Sequence, residues 1–386
     1  MTTEPRSITS LEILLRAVWF FVLVFLFLVA VKLFGDAAKI LTVTYEDGWN
    51  FLLSNLSNPF LSLGLGIFLT AIMQSSSATT SIAVAMTASG TLTVEQAVPF
   101  VMGANIGTSV TSTIVAMGCI NNKKTFSKAY GAGALQDSFN LMTTAVLLPL
   151  EISFHVLSRL ARFIVGFLPI GTGVSTGESW NPLPWLVNLP VKFIHETLCE
   201  RALQLVPTVT AGVMMVLGLG ILFVSLIYIT KNMKVLMADR IEELLNRVLS
   251  KNGLLGIVIG IVVTMIIQSS SITTSLLVPL VASGILKLEV IYPILIGANI
   301  GTTITALLAA MAYSGAGATA GLTLALVHFL FNASGGLIFY PIPWMRWPVR
   351  WAKFLSNLAA RNRWYVIAWV FLVFIILPLA GFLIFN

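Results

Sequence analysis

"AIMQSSSATTSIAV" (71–84) and "MIIQSSSITTSLLV" (265–278) set the same polar run, Gln-Ser-Ser-Ser followed by Thr-Thr-Ser, between apolar flanks. The chain around them lacks the charge to cover a soluble surface. Of its 386 residues 57% are hydrophobic and 10% charged, and mean hydropathy is +0.95. That composition belongs to a protein embedded in a lipid bilayer. Apolar stretches near the 20 residues or so needed to cross hydrocarbon fall at 18–34, 97–118, 132–150, 206–230, 290–311, 320–340 and 364–384. Their pattern does not alternate as barrel strands do. The fold class is therefore an all-α polytopic membrane protein.

Net charge is +7, but the basic residues sit in short connectors, where they set topology; nucleic acid is not expected as a partner. Cys119 and Cys199 are far apart and suggest neither a disulfide framework nor a metal site. Arg6 and Arg16 precede the first apolar run without a small-residue cleavage site. Residues 1–17 thus read as a cytoplasmic tail before a retained span.

The polar run is part of a repeat. Shifting the sequence by 194 residues aligns 66–117 with 260–311 without a gap, and 27 of the 52 positions are identical. The matches include Gln74/Gln268 and the serines after each, "ASG" (88–90 and 282–284) and "GANIGT" (103–108 and 297–302). The same offset carries the span 18–34 onto 212–228, and the semi-polar 41–56 onto 235–250, which reads as an interfacial amphipathic helix.

Basic loops orient the repeats. Lys123, Lys124 and Lys128; Lys231, Lys234, Arg240, Arg247 and Lys251; and Arg346, Arg350, Lys353, Arg361 and Arg363 each follow a span and are expected in the cytoplasm. In 59–90 and in 253–284, two apolar stretches too short to span are broken at QSSS. They read as re-entrant helical hairpins, the first entering from outside, the second from inside. Two inverted-topology repeats result. The expected organisation is a tail (1–17), repeat 1 (18–169), an exterior segment (170–205), repeat 2 (206–361) and a C-terminal transmembrane segment (362–386). Segment 343–363 is left open between a horizontal helix and another crossing. Inverted repeats with broken helices at matching positions point to a secondary transporter with a midplane site.

The residues suggest the chemistry. Serines cap helix starts, and free N–H groups at the positive end of the dipole attract anions. Gln74, Ser75, Ser76 and Ser77, meeting Gln268, Ser269, Ser270 and Ser271, would hold a compact oxyanion by hydrogen bonds rather than by full charges. The bland alternative is that small polar residues merely let helices pack closely. In "GANIGTSVT" (103–111) and "GANIGTTIT" (297–305), Gly103, Gly107, Gly297 and Gly301 permit close approach or unwinding. Asn105, Thr108, Thr111, Asn299, Thr302 and Thr305 offer neutral oxygens suited to Na⁺, or else back-bond within their helices.

Asp137, in "GALQDSFN", is the one carboxylate expected well inside a span. It reads as a cation or proton group, with a helix cap as the alternative. Repeat 2 offers "VHFLFN" there, with His328 a buried hydrogen-bonding residue and Asn332 answering Asn140. Glu95 and Glu289 match between repeats and read as caps in first turns.

QSSS with a threonine-rich helix, then GANIGT, twice in inverted repeats, resembles the type II sodium–phosphate cotransporters, over about 66–150 and 254–340 and including "LPLE" (148–151). The resemblance implies Na⁺-driven import of inorganic phosphate across the plasma membrane. Phosphate would lie between Gln74–Ser77 and Gln268–Ser271, with Asn105 and Asn299 nearby. Sodium, the coupling ion with no organic cofactor, would lie at Ser269, Thr302 and Thr305, with Ser75, Thr108 and Thr111 a weaker mate. Asn122 stands where electrogenic animal members carry an Asp, which argues against a third, charge-carrying sodium. The short tails suggest a bacterial member, hence the inner membrane. Neither a nucleotide loop nor paired carboxylates suggests an enzyme. The competing expectations are symport of another oxyanion, a passive anion channel, and a membrane scaffold.

Overall fold

The structure, a computed structural model, describes residues 9–168, 182–248 and 253–384, the side chains of 50, 52, 237–248 and 381–384 excepted. Among these the chain is helical, without a strand. The first half contains α1 (Ser10–Thr44), α2 (Glu46–Leu56), α3 (Pro59–Met73), α4 (Ser76–Ala88), α5 (Val94–Gly107), α6 (Ser109–Met117), α7 (Lys123–Phe154) and α8 (Val156–Phe167). Then come α9 (Pro182–Lys192) and a wide helical turn, Phe193–Ala202. The second half contains α10 (Pro207–Val248), α11 (Gly253–Ile267), α12 (Ser270–Ala282), α13 (Leu288–Ala310), α14 (Gly315–Phe339) and α15 (Trp347–Arg361). Helices α16 (Trp364–Phe371) and α17 (Leu377–Ile384), joined by the turn Leu372–Ile376, close the chain.

The element order of the first half recurs in the second: α1 answers α10, α3–α4 answer α11–α12, α5–α6 answer α13, α7 answers α14 and α8 answers α15. Among the described residues, Ser10–Thr44, Val94–Met117, Pro207–Leu236, Leu288–Ala310 and Gly315–Phe339 are long and apolar enough to cross a membrane. The predicted span 132–150 falls in α7, which qualifies only together with α8, across a 73° bend. The reason is chemical: α7 buries Gln136, Asp137, Ser138, Asn140, Thr143 and Thr144, which lower its hydropathy. The span predicted at 364–384 is one continuous helical run, with α16 and α17 joined through the wider turn Leu372–Ile376. Two other expectations change. Residues 41–56 are split between the end of α1 and α2, and 235–248 simply continue α10. Residues 1–8, the predicted exterior stretch 170–181 and Lys251 lie outside the described residues, as do the side chains of Arg240 and Arg247.

Local chemistry sets the ends. Thr9 and Glu12 form a capping box on α1, and Thr93 and Gln96 form one on α5. Asn122 caps α7 by accepting from the Thr125 N–H at 3.2 Å. Helix α7 ends at His155, in the left-handed region (φ 51°). The buried Glu151 carboxylate then accepts the Leu157 N–H at 2.7 Å and bonds Ser158, capping α8 across the bend. Segment 343–363 resolves into a single turn, Pro343–Met345, and α15, whose 15 residues are too few for a crossing. Helix α15 packs on α7 and α8 packs on α14, so each short helix lies against the long helix of the opposite half.

The same exchange places the broken helices. Helix α4 packs against α13 and α14, while α12 packs against α6 and α7. Within each half, α3 lies on α5 and α11 on α13 at glycine seams. An added Cβ at Gly103 would meet Ile67 N at 3.0 Å, and one at Gly297 would meet Ile261 N at 2.9 Å; each would lie closer still to the carbonyl oxygen of Leu63 or Ile257. These glycines therefore serve close approach, and α13 runs unbroken through its GANIGT.

Candidate functional site

Both QSSS runs break their helices in the same way. Gln74 and Gln268 take left-handed backbone (φ 50° and 60°), and their N–H groups bond Thr70 O and Thr264 O at 2.7 Å. Ser75 and Ser269 are extended, and new helices start at Ser76 and Ser270. A left-handed non-glycine residue costs roughly 1–3 kcal/mol. Two such residues at equivalent positions mark a break that the surrounding structure enforces. Each break leaves the first amides of a helix without intrahelical partners and carries about half a positive charge.

The two breaks face one cavity of about 450 Å³. Gln74, Ser75, Ser76 and Ser77 line it from one side and Gln268, Ser269, Ser270 and Ser271 from the other. The structure thus brings together all eight motif residues predicted to hold an anion. It also adds a wall that the sequence reading missed: Phe223, Leu226, Ile227, Thr230, Lys231 and Lys234 of α10. By sequence these lysines are simply topology charges of a connector. The signal for their second role is their spacing, since 223, 226/227, 230/231 and 234 form one helical face.

The halves differ where their sequences agree. Gln268 is buried, and its Oε1 accepts the Thr305 hydroxyl at 2.9 Å. Thr305 also lies 3.5 Å from Ser77 Oγ of the other break, so an expected sodium residue touches both expected anion motifs. In the first half Gln74 is exposed to the cavity, and the Thr111 hydroxyl is enclosed without a hydrogen-bond partner. Thr302 and Thr108 donate to Ala298 O and Ala104 O at 2.9 and 3.0 Å, back-bonded as threonines in helices often are. Ser75 Oγ accepts the Ala78 N–H at 3.2 Å, whereas Ser269 makes no such cap.

Asn105 and Asn299 do not line the cavity; they lie in a buried network. Asn299 Oδ1 accepts from Gln136 Nε2, and Asn299 Nδ2 donates to Asn140 Oδ1, both at 2.9 Å. Asn105 Oδ1 accepts from Asn332 Nδ2 and contacts His328 Nε2, both at 3.2 Å. Asn140 Nδ2 donates to Asn105 O at 2.6 Å, and the Thr274 hydroxyl donates to Gln136 Oε1 at 3.0 Å, tying in α12. Each GANIGT asparagine is therefore held by the long helix of the other half. His328 is the counterpart of Gln136, one residue from the position of Asp137.

Asp137 is fully buried, accepts the Ser109 hydroxyl and has the Trp369 indole N–H beside its carboxylate. It does not line the cavity. It is not the sole carboxylate within the long helices: Asp36, paired with Lys32 in α1, and Glu151 in α7 join it. Glu95 and Glu289 lie in first turns, as expected, and also pair with Arg162 of α8 and Lys353 of α15.

Fold and cavity define a helical membrane protein of two like-ordered halves, with a cavity bordered by both serine motifs between paired helix breaks. The family model for the Na⁺/Pi-cotransporters matches residues 26–173 and 221–339. The chain belongs to that family. It is 31% identical over 408 aligned positions to the human sodium-dependent phosphate transport protein 2B, covering 85% of this chain and 59% of the relative. To the sheep (Ovis aries) sodium-dependent phosphate transport protein 2A it is 32% identical over 385 positions, covering 84% and 60%. The chain thus spans about 60% of the length of these relatives. No solved structure matches it.

Proposed function

We propose that this protein is a plasma-membrane symporter that uses sodium entry to import inorganic phosphate. The observation that carries this reading is the meeting of both QSSS helix starts on one cavity. Phosphate, a compact tetrahedral oxyanion, is held there by helix-start amides, the six serine hydroxyls and the Gln74 and Gln268 amides. Asn105 and Asn299 act from behind, holding the helices that present the motif.

Sodium takes neutral oxygens. Thr305, Thr302, Ser269 and the Gln268 carbonyl supply them beside Ser77, so cation and anion stabilise each other's binding. Ser75, Thr108 and Thr111 form the weaker mate. Asp137, a buried carboxylate in the same helix as Gln136 and Asn140, is a further cation group.

The two halves are inverted repeats whose hairpins enter the membrane from opposite faces, and transport proceeds by alternating access. The difference between Gln268, bonded to Thr305, and Gln74, free in the cavity, is what one end state of such a cycle requires. Exchange of the two pairings converts it to the other.

The test is radiolabelled phosphate uptake into proteoliposomes with and without a sodium gradient. Uphill accumulation only with inward sodium is expected. Gradient-independent equilibration would indicate a channel, absence of flux a scaffold, and preference for sulfate a different oxyanion.

A further inference from the structure

Among the described residues, the charged groups on the cavity wall are two lysines of α10. The residues lining the cavity from the motifs are neutral, and among the described residues no carboxylate lines it. Along α10 the lining face passes from Phe223, Leu226 and Ile227 to Thr230, Lys231 and Lys234, a rise of about 16 Å from the first to the last. The wall is thus apolar at one level and cationic at another. Both lysines are exposed, and Lys231 Nζ stands 5.3 Å from the centre of the Tyr228 ring. An anion leaving the neutral serines along this wall meets full positive charge on the side where the basic loops place the cytoplasm.

We propose that Lys231 and Lys234, with Thr230, form a second anion position on the cytoplasmic side of the cavity, distinct from the QSSS starts and occupied in sequence with them. This rests on the proposed phosphate transport and adds an exit station to it. The neutral motif binds and releases the anion by hydrogen bonds, and the lysines attract it by charge. Cytoplasmic phosphate occupying this position obstructs the departure of transported phosphate, so the site slows import as the internal pool fills. The group recognised is a tetrahedral phosphate oxyanion, carried equally by free phosphate and by an anionic lipid headgroup.

The test uses purified full-length protein in saturating sodium and equilibrium binding of radiolabelled inorganic phosphate. The wild type is expected to show two sites. The weaker should vanish in the double variant Lys231→Gln/Lys234→Gln and persist in Lys231→Arg/Lys234→Arg, which preserves charge and controls for folding. In proteoliposomes, the internal phosphate concentration that half-inhibits uptake should rise about tenfold in the glutamine pair. Repeating the binding in nanodiscs of phosphatidylcholine or phosphatidylglycerol separates the sources. A weaker site seen in both is a free-phosphate position. One seen only with phosphatidylcholine is held by the lipid headgroup in anionic membranes, through the same lysines. An unchanged number of sites and unchanged internal inhibition in the glutamine pair would overturn the proposal. If the wild type binds no phosphate in sodium, the transport reading itself fails. If wild type and glutamine pair bind one phosphate identically, only the lysine site fails.

Discussion

Gly297→Ala tests whether the glycine seam sets the position of the second break. The new Cβ would sit 2.9 Å from both Ile257 C and Ile261 N, and closer to the Ile257 carbonyl oxygen. Backbone atoms cannot rotate away as a side chain does, and ordinary contact begins near 3.4 Å. Helices α11 and α13 must therefore part by at least about 0.5 Å, and by more at the carbonyl. Overpacking of this kind costs about 1–3 kcal/mol. Alanine returns at most about 1 kcal/mol through helix propensity. Helix α11 ends at the Gln268 break, so the displacement passes directly to the QSSS start. Gly212 and Gly220 in α10 are the controls, with nothing within 4 Å of an added Cβ; alanine there should be neutral or stabilise by about 0.4–1 kcal/mol. The assay pairs thermal melting in detergent, read by tryptophan fluorescence, with sodium-driven phosphate uptake. Gly297→Ala should melt several degrees below wild type and lose most uptake, with both controls near wild type. Wild-type melting and uptake in Gly297→Ala would refute the close-approach argument.

Thr305→Val removes the bond to Gln268 and should raise the half-activating sodium concentration several-fold, whereas Thr111→Val, which breaks no bond, should change it less; equal effects would dissolve the asymmetry between the sites. Asn140→Leu strands the Asn299 amide and the Asn105 carbonyl, each worth about 1–3 kcal/mol when buried unpaired. Its melting temperature should fall while the phosphate concentration for half-maximal uptake moves little, and unchanged melting would show that the network carries no stability. Asp137→Asn preserves shape but removes charge, so the sodium dependence of uptake should become less steep; an unaltered Hill slope would exclude Asp137 from sodium coupling.

Much of this protein is legible in its residues. Composition and span length determine a helical membrane protein. The ungapped match of 66–117 with 260–311 determines the duplication, and QSSS marks both helix breaks because serines favour helix starts. Gly103 and Gly297 announce close packing through the absence of a side chain. These features are local, or repeat at a fixed offset. The rest depends on which surfaces meet. Asn105 and Asn299 sit in identical GANIGT segments, and nothing within those segments tells a cavity ligand from a network residue. Their partners, His328 with Asn332 and Gln136 with Asn140, come from the opposite half, more than 150 residues away. Lys231 and Lys234 look like ordinary flanking charges until α10 is laid along the cavity. The difference between Gln74 and Gln268 lies furthest from the sequence, because identical motifs give identical local preferences. Only the packing of one half against the other can bury one glutamine on Thr305 and leave its twin facing the cavity.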